Sequence, residues 1–214
     1  MKKALILILA LIFPLLLQAA DSRIDIGRFS HNDLAGWESK SFKGETKYNL
    51  SDDNGARVLR ADSHRTASGM FREIKVNLTQ TPILNWSWKT GQVFKNIDEQ
   101  TKNGDDYPVR IYVIFSGGFF FWKTRAINYV WSSNQPVGSS WENAYTDSAR
   151  MIAVESGKEK VGQWVNEKRN ILTDFRILFG ENVKFADAVA VMTDTDNSGQ
   201  KATGWYGDIW FSEK

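Results

Sequence analysis

Along most of the chain, apolar and polar side chains alternate with a period of two. In "ILNWSWK", Leu84, Trp86 and Trp88 fall on one face and Asn85 and Ser87 on the other. In "VRIYVIF", Val109, Ile111, Val113 and Phe115 share a face, with Arg110, Tyr112 and Ile114 opposite. "RVLRAD", "AINYVWS", "ADAVAVMTD" and "WYGDIWF" continue the pattern. Alternation built on β-branched and aromatic residues signals strands that bury one face. Between the runs lie "DDNG", "NGDD", "SGG" and "DNSG", whose residues tolerate left-handed backbone or bond their own main chain in turns. About eleven short strands at this spacing predict an all-β fold, a two-sheet β-sandwich of jelly-roll type. "TDFRILFG" departs from the pattern and predicts one short helix across an edge of the sandwich. Thr173 or Asp174 would cap it and Gly180 would end it.

The first twenty residues follow another rule. Lys2 and Lys3 precede an apolar run from Ala4 to Leu17, broken by Pro14, and small residues follow up to Ala20. This is the layout of a cleaved secretory signal, and the run is too short and proline-broken for a spanning helix. The expectation is a signal peptide over residues 1–20, a single β-sandwich domain over 21–214, and a periplasmic or secreted location. The chain has no cysteine, which excludes disulfides, thiolate nucleophiles, cysteine metal sites and a bacterial lipid anchor. Losing Lys2 and Lys3 takes the formal charge from +2 to about zero, so the sequence pI of 8.7 does not mark a nucleic-acid footprint. No later segment is apolar enough to cross a membrane. The oligomeric state is not legible.

Two acidic loops draw attention. In "MTDTDNSGQKATGW", Asp194, Asp196 and Ser198 occupy positions one, three and five of a calcium-loop pattern, with Gly199 at six. Position twelve, where such a loop needs a bidentate Glu, is Trp205. The motif therefore fails, leaving an Asx-stabilised turn or a loose oxygen site. In "NGDDYPVR", Asp105 and Asp106 precede a strand carrying Arg110 and Tyr112. If the loops converge on one rim, their carboxylates suit either hydrogen bonding to sugar hydroxyls or glycoside hydrolysis. Binding requires less of the geometry. The expected ligand site is Asp105, Asp106, Arg110, Asp194 and Asp196 for hydrogen bonds, with Trp88, Tyr112 and Trp131 for stacking. Trp122 and Trp205 are further stacking candidates, while Trp37, Trp86, Trp164 and Trp210 are expected to fill the core. Arg110→Ala is then expected to remove binding and leave folding largely intact. No catalytic residue is assigned. His31 and His64 stand in no triad or zinc spacing, and no nucleophile elbow or phosphate-cradling glycine loop occurs.

"DLAGWESKSFKGETKY", "PILNWSWK", "NGDDYPVRIYVIF", "INYVWS" and "MTDTDNSGQKATGWYGDIWF" follow one another in this order. Together they resemble a bacterial family known as domain of unknown function 3047, from about Phe29 to Phe211. The resemblance implies an exported bacterial protein and no particular activity. More loosely, "FSHNDLAGW" and "WYGDIWF" look like the first and last strands of galactose-binding-like jelly rolls, a fold of many carbohydrate-binding modules. That likeness implies a structural Ca2+ between the terminal strands, with Asp208 as ligand and Asp33 as a distant partner, and no organic cofactor. The expected function is non-catalytic binding of a glycan or other polyhydroxy ligand in the envelope. The alternatives are a glycan hydrolase or lyase using the rim carboxylates, and a structural or assembly protein docking through the "GGFFFW" hairpin.

Overall fold

The computed structural model describes residues 22–117 and 124–214. The expected signal peptide and most of the "GGFFFW" hairpin, Trp122 included, lie outside the described residues. Within them the chain forms β1 (Arg23–Gly27), β2 (Trp37–Lys43), β3 (Lys47–Asp53), β4 (Ala56–His64), β5 (Ala67–Asn77), β6 (Ile83–Thr90) and β7 (Arg110–Phe115). These are followed by β8 (Arg125–Ser132), β9 (Ser140–Asn143), β10 (Thr146–Ser156), β11 (Val165–Asn170), helix α1 (Ile171–Phe179), β12 (Phe185–Met192) and β13 (Lys201–Ser212).

The strands build two sheets, as the alternation requires. One runs β11-β6-β13-β4-β3, with β1 also on β13, and the other β2-β5-β12-β7-β8-β10-β9. Only the β8–β10 pair is parallel among the described ladders. The inward faces meet in a core rich in large rings. Trp86 lies 5.4 Å from Trp88 and 5.3 Å from Tyr129, and Trp88 lies 6.3 Å from Trp131 between ring centres. Tilted and edge-on ring pairs add to the burial energy of the rings themselves. The edge strands β2 and β11 are polar along most of their length, so pairing rather than alternation reveals them.

Helix α1 bridges the two sheets at one end of the sandwich. Phe175 packs on Phe115, 4.6 Å between ring centres, and Asp174 accepts the Tyr129 hydroxyl at 2.7 Å. The cap is neither Thr173 nor Asp174. The Asn170 side chain accepts the Thr173 amide at 3.1 Å, because Ile171 is already buried and pulls the helix start forward. Gly180 ends the helix in a left-handed conformation, φ 68°.

Candidate functional site

The outward face of the seven-stranded sheet mixes small side chains, Ala149 and Ala190, with the larger Arg110, Tyr112, Asn128 and Met192. Met192 pairs with Arg110 and Ala190 with Tyr112 across β12 and β7. Tyr112 in turn faces Asn128 on β8. The small residues leave a recess, and the loops around it deepen it into a cleft of about 510 Å³. Phe42, Asp105, Arg110, Tyr112, Asn128 and Tyr145 line it, with Asp194 and Asp196 at one end.

The two acidic loops do converge, and they are stitched together. The Tyr107 amide donates to Asp194 Oδ1 at 3.1 Å, and the Asp194 amide returns a bond to the Tyr107 carbonyl at 3.2 Å. Asp106 accepts the amides of Asn197 and Ser198 at 3.2 and 2.5 Å. Arg110 Nη2 donates to Asp194 Oδ2 at 2.5 Å and to Met192 Sδ at 3.2 Å. Its Nη1 stands 3.9 Å from Asp105, while the guanidinium lies against the rings of Tyr107 and Tyr112 at 5.3 and 5.1 Å. Asp105 also takes the Asn143 amide at 3.1 Å. Lys43 reaches Asp196 at 3.6 Å.

Burial sets the titration here. Desolvation pushes the Asp194 carboxyl above the usual range, and Arg110 pulls it back. Asp105 is raised for the same reason, again opposed by Arg110. Burial alone would lower Arg110, but Asp194 and then Tyr112 and Asp105 hold its pKa above the ordinary value. The guanidinium therefore stays charged, with the Asp194 carboxyl as its nearest acidic partner.

Against this engaged network stand groups with nothing to bond. Asn128 is 1% exposed, and neither its Nδ2 nor its Oδ1 has a hydrogen-bond partner. Arg110 Nε is likewise unmet. Two large rings are open to solvent at the rims, Phe42 at 67% and Tyr145 at 55% exposure.

Of the expected ligand residues, Asp105, Arg110, Tyr112, Asp194 and Asp196 line the cleft, and Asp106 sits behind it holding the loop. Trp88 and Trp131 are corrections. Both are 0% exposed in the core, because the alternation that makes them strand residues turns them inward. Trp205 lies half-buried on the outward face of the other sheet, and so do Trp164 and Trp210, which were expected in the core. Sequence reasoning missed Phe42, Asn128 and Tyr145. Asn128 was findable as the polar residue of β8 on the same face as Arg110 and Tyr112. Phe42 stands in a polar edge strand and Tyr145 in a hairpin, and neither carries a local signal.

At the terminal strands, the two carboxylates expected to hold calcium each accept hydrogen bonds from their own neighbours. Asp208 accepts the amide of Ser30 at 2.8 Å and its hydroxyl at 2.5 Å, and Asp33 accepts the Ala35 amide at 2.8 Å. Donor hydrogens thus point at both groups, and neither joins a carboxylate cluster among the described residues. The one such cluster is Asp106, Asp194 and Asp196, with oxygens within 4.8 Å of one another. It too is met by amides, by Arg110 and by Lys43. Calcium requires six to eight oxygens, and a cation in the Asp106, Asp194 and Asp196 cluster would have to share those carboxylates with the amides and with Arg110.

The family model described as "Protein of unknown function (DUF3047)" matches residues 35–210. No curated protein matches the chain. Among solved structures, a family 30 carbohydrate-binding module of a cellulosomal cellulase of Clostridium thermocellum aligns with TM-score 0.52 and 11% identity. The alignment covers 90% of this chain and 98% of that one. A family 11 carbohydrate-binding module of another cellulosomal cellulase of Clostridium thermocellum gives TM-score 0.49 and 8% identity over 90% and 94%. A mutant family 29 carbohydrate-binding module complexed with mannohexaose gives 0.44 and 10% over 91% and 93%. At these identities the likeness is one of fold.

Proposed function

We propose that this chain, which belongs to the DUF3047 family, is an exported, non-catalytic glycan binder whose ligand lies in the cleft over Arg110, Tyr112 and Asn128. The observation that carries this reading is the unmet Asn128 amide in the cleft floor. A buried polar group without a partner costs about 1–3 kcal/mol, and a ligand that supplies the partner recovers that cost. Sugar hydroxyls both donate and accept, so neighbouring hydroxyls can answer Nδ2 and Oδ1 together, and another can answer Arg110 Nε. Phe42 and Tyr145 offer faces for the apolar side of a sugar ring. The shared fold with the family 30 carbohydrate-binding module supports the assignment. The non-catalytic part is supported by the engagement of the carboxylates, since Asp106 and Asp194 are committed to amides and to Arg110. Export is supported by the signal-like first twenty residues. Affinity is expected to be weak, because an open cleft immobilises a flexible ligand and desolvates polar groups.

Calorimetric titration with mannohexaose, cellohexaose and maltohexaose tests this. Wild-type protein should bind at least one of them, and Asn128→Ala or Tyr145→Ala should weaken that binding by about tenfold or more. Unchanged affinity in both variants would move the ligand out of the cleft. No binding of any saccharide would sink the glycan reading itself.

A further inference from the structure

We infer that the outward face of the six-stranded sheet carries a second saccharide site, between Trp164 and Trp210, which takes pyranose rings of a neutral glycan. It stands on residues separate from the cleft. Its origin is a break in β13. The register against β6 shifts between Tyr206 and Ile209, so Gly207 and Asp208 form a bulge. The bulge resets the alternation, leaving Tyr206 and Ile209 both in the core and turning Trp205, Asp208 and Trp210 toward the outside. Such bulges re-aim side chains. A Cβ at 207 would displace the Ser87 hydroxyl from its place in the groove.

The result is a groove of about 330 Å³ lined by Arg57, Ser87, Trp164, Asn166, Asp208 and Trp210. Its two rings are held in place. The Trp164 indole donates to Asp53 Oδ2 at 2.7 Å, and Lys89, itself bonded to both Asp53 oxygens at 2.6 Å, stands 5.5 Å over the Trp164 ring. The Arg23 guanidinium covers one face of Trp210 at 4.4 Å. Rings fixed in advance lose little entropy when a ligand stacks on them.

The spacing suits a chain of sugars. Val165 pairs with Trp88 and Trp210 with Asn85. Trp164, one residue before Val165, is therefore offset from Trp210 along the strands by about 13 Å, longer than one pyranose ring. Ser87 and Asn166 lie between them, opposite each other, and neither makes a side-chain hydrogen bond among the described residues. Asp208 accepts only from Ser30 and keeps lone pairs for a hydroxyl.

The charges argue for a neutral ligand. Lys89 is paired with Asp53 and Arg23 with Asp25 at 2.6 Å, while Arg57 donates to Asn32 at 2.7 Å. Arg57 lines the groove without a carboxylate partner and Asp208 is the carboxylate of the lining, so the groove has a formal charge of about zero and favours a ligand with no net charge. The two sheets turn their outer faces in opposite directions, so a chain with both sites occupied would bridge two glycan strands. That bridging rests on the cleft reading, whereas the second site does not.

The cleft lining contains no tryptophan, so indole signals separate the sites. Mannohexaose, cellohexaose and maltohexaose are titrated to ~10 mM while the Trp164 and Trp210 indole N–H resonances are followed, assigned with Trp164→Phe and Trp210→Phe. Both should move and saturate with at least one hexasaccharide, in wild type and in Asn128→Ala alike. Trp210→Ala should weaken the response of Trp164 by about tenfold or more at unchanged fold. Indoles that stay still with all three sugars overturn the site, as do shifts that vanish in Asn128→Ala. Indole shifts with no response at Tyr145 would leave this site standing and remove the cleft.

Discussion

The two sheets turn opposite kinds of surface to solvent. Over the seven-stranded sheet, charged groups are buried and stitched into the frame, and the unmet polar atoms sit in a recess. Over the six-stranded sheet, Arg23, Arg60 and Lys89 pair with carboxylates near half-buried tryptophans. The cleft is therefore part of the stability of the fold, whereas the tryptophan groove rests on top of it. Substitution should expose the difference. Arg110→Ala leaves the Asp194 carboxylate buried beside Asp105 and Asp106, and breaking a buried pair this way costs about 3–5 kcal/mol. This runs against the expectation that the variant would fold largely intact. Trp210→Ala should cost no more than about 1–2 kcal/mol, against about 3–5 for Trp88→Ala in the core. Urea midpoints decide it, and the contrast breaks if Trp210→Ala unfolds the chain as readily as Arg110→Ala. An Arg110→Met/Asp194→Asn double variant should regain part of the loss.

Why these surfaces differ was only partly legible beforehand. Period-two alternation gave the strands, the two-sheet class and the face on which Arg110 and Tyr112 lie, because side-chain direction in a strand is local. The same alternation places Trp88 and Trp131 inward with Leu84 and Ile127, so their nomination as stacking residues ignored the pattern that found them. Trp164 and Trp210 were hidden for a different reason. Trp164 precedes its strand, and Trp210 follows a bulge that shifts the phase by one residue. The convergence of Asp105 and Asp106 with Asp194 depends on β7 lying beside β12, and strand order is a long-range property. Phe42 and Tyr145 reach the cleft from β2 and from the β9–β10 turn, which no local pattern brings together.

A smaller effect should sharpen the account of the cleft. Asn128→Leu replaces an unmet amide with an apolar side chain of similar size. Leaving a polar group buried and unbonded is unfavourable, so the variant should gain about 1 kcal/mol in a denaturant titration while losing the saccharide. Gain of stability with loss of binding is the mark of a group held for a ligand. If Asn128→Leu is instead destabilised by several kcal/mol, the amide has a structural bond and the floor is not open.

Between the sheets lies a third environment, neither cleft nor groove. Glu167 on β11 faces inward with Oε1 unbonded. Burial, and then the neighbouring Glu155, push its pKa from 4.5 to about 7. Lys160 binds Glu155 at 2.5 Å rather than Glu167, and Arg169 is held by Asp174 at 2.6 Å. Between pH 4.5 and 7 the folded chain keeps a proton that the unfolded chain has released. Stability should therefore fall as pH rises through that window. Glu167→Gln removes the charge, so its thermal midpoint should exceed wild type above pH 7 and match it near pH 4.5. Solvent screening keeps the gain to about 1 kcal/mol, or a few degrees. A constant difference at both pH values would assign the effect to packing instead.

The smallest expected effect is the response to calcium, and it bears on what the acidic loops are for. A cation among Asp106, Asp194 and Asp196 would have to turn Asp106 away from the amides of Asn197 and Ser198 and compete with Arg110 for Asp194. Those bonds tie the β12–β13 loop to the loop before β7, so binding would loosen the frame it was meant to brace. A ligand that binds only the native state raises the thermal midpoint by mass action. Melting with EDTA and then with millimolar Ca2+ should leave the midpoint within about 1 °C, since any selective gain would offset a comparable loss. A calcium-dependent rise of several degrees would mean that the carboxylates prefer the ion to Arg110. The difference between the two faces would then lie in a metal rather than in the guanidinium.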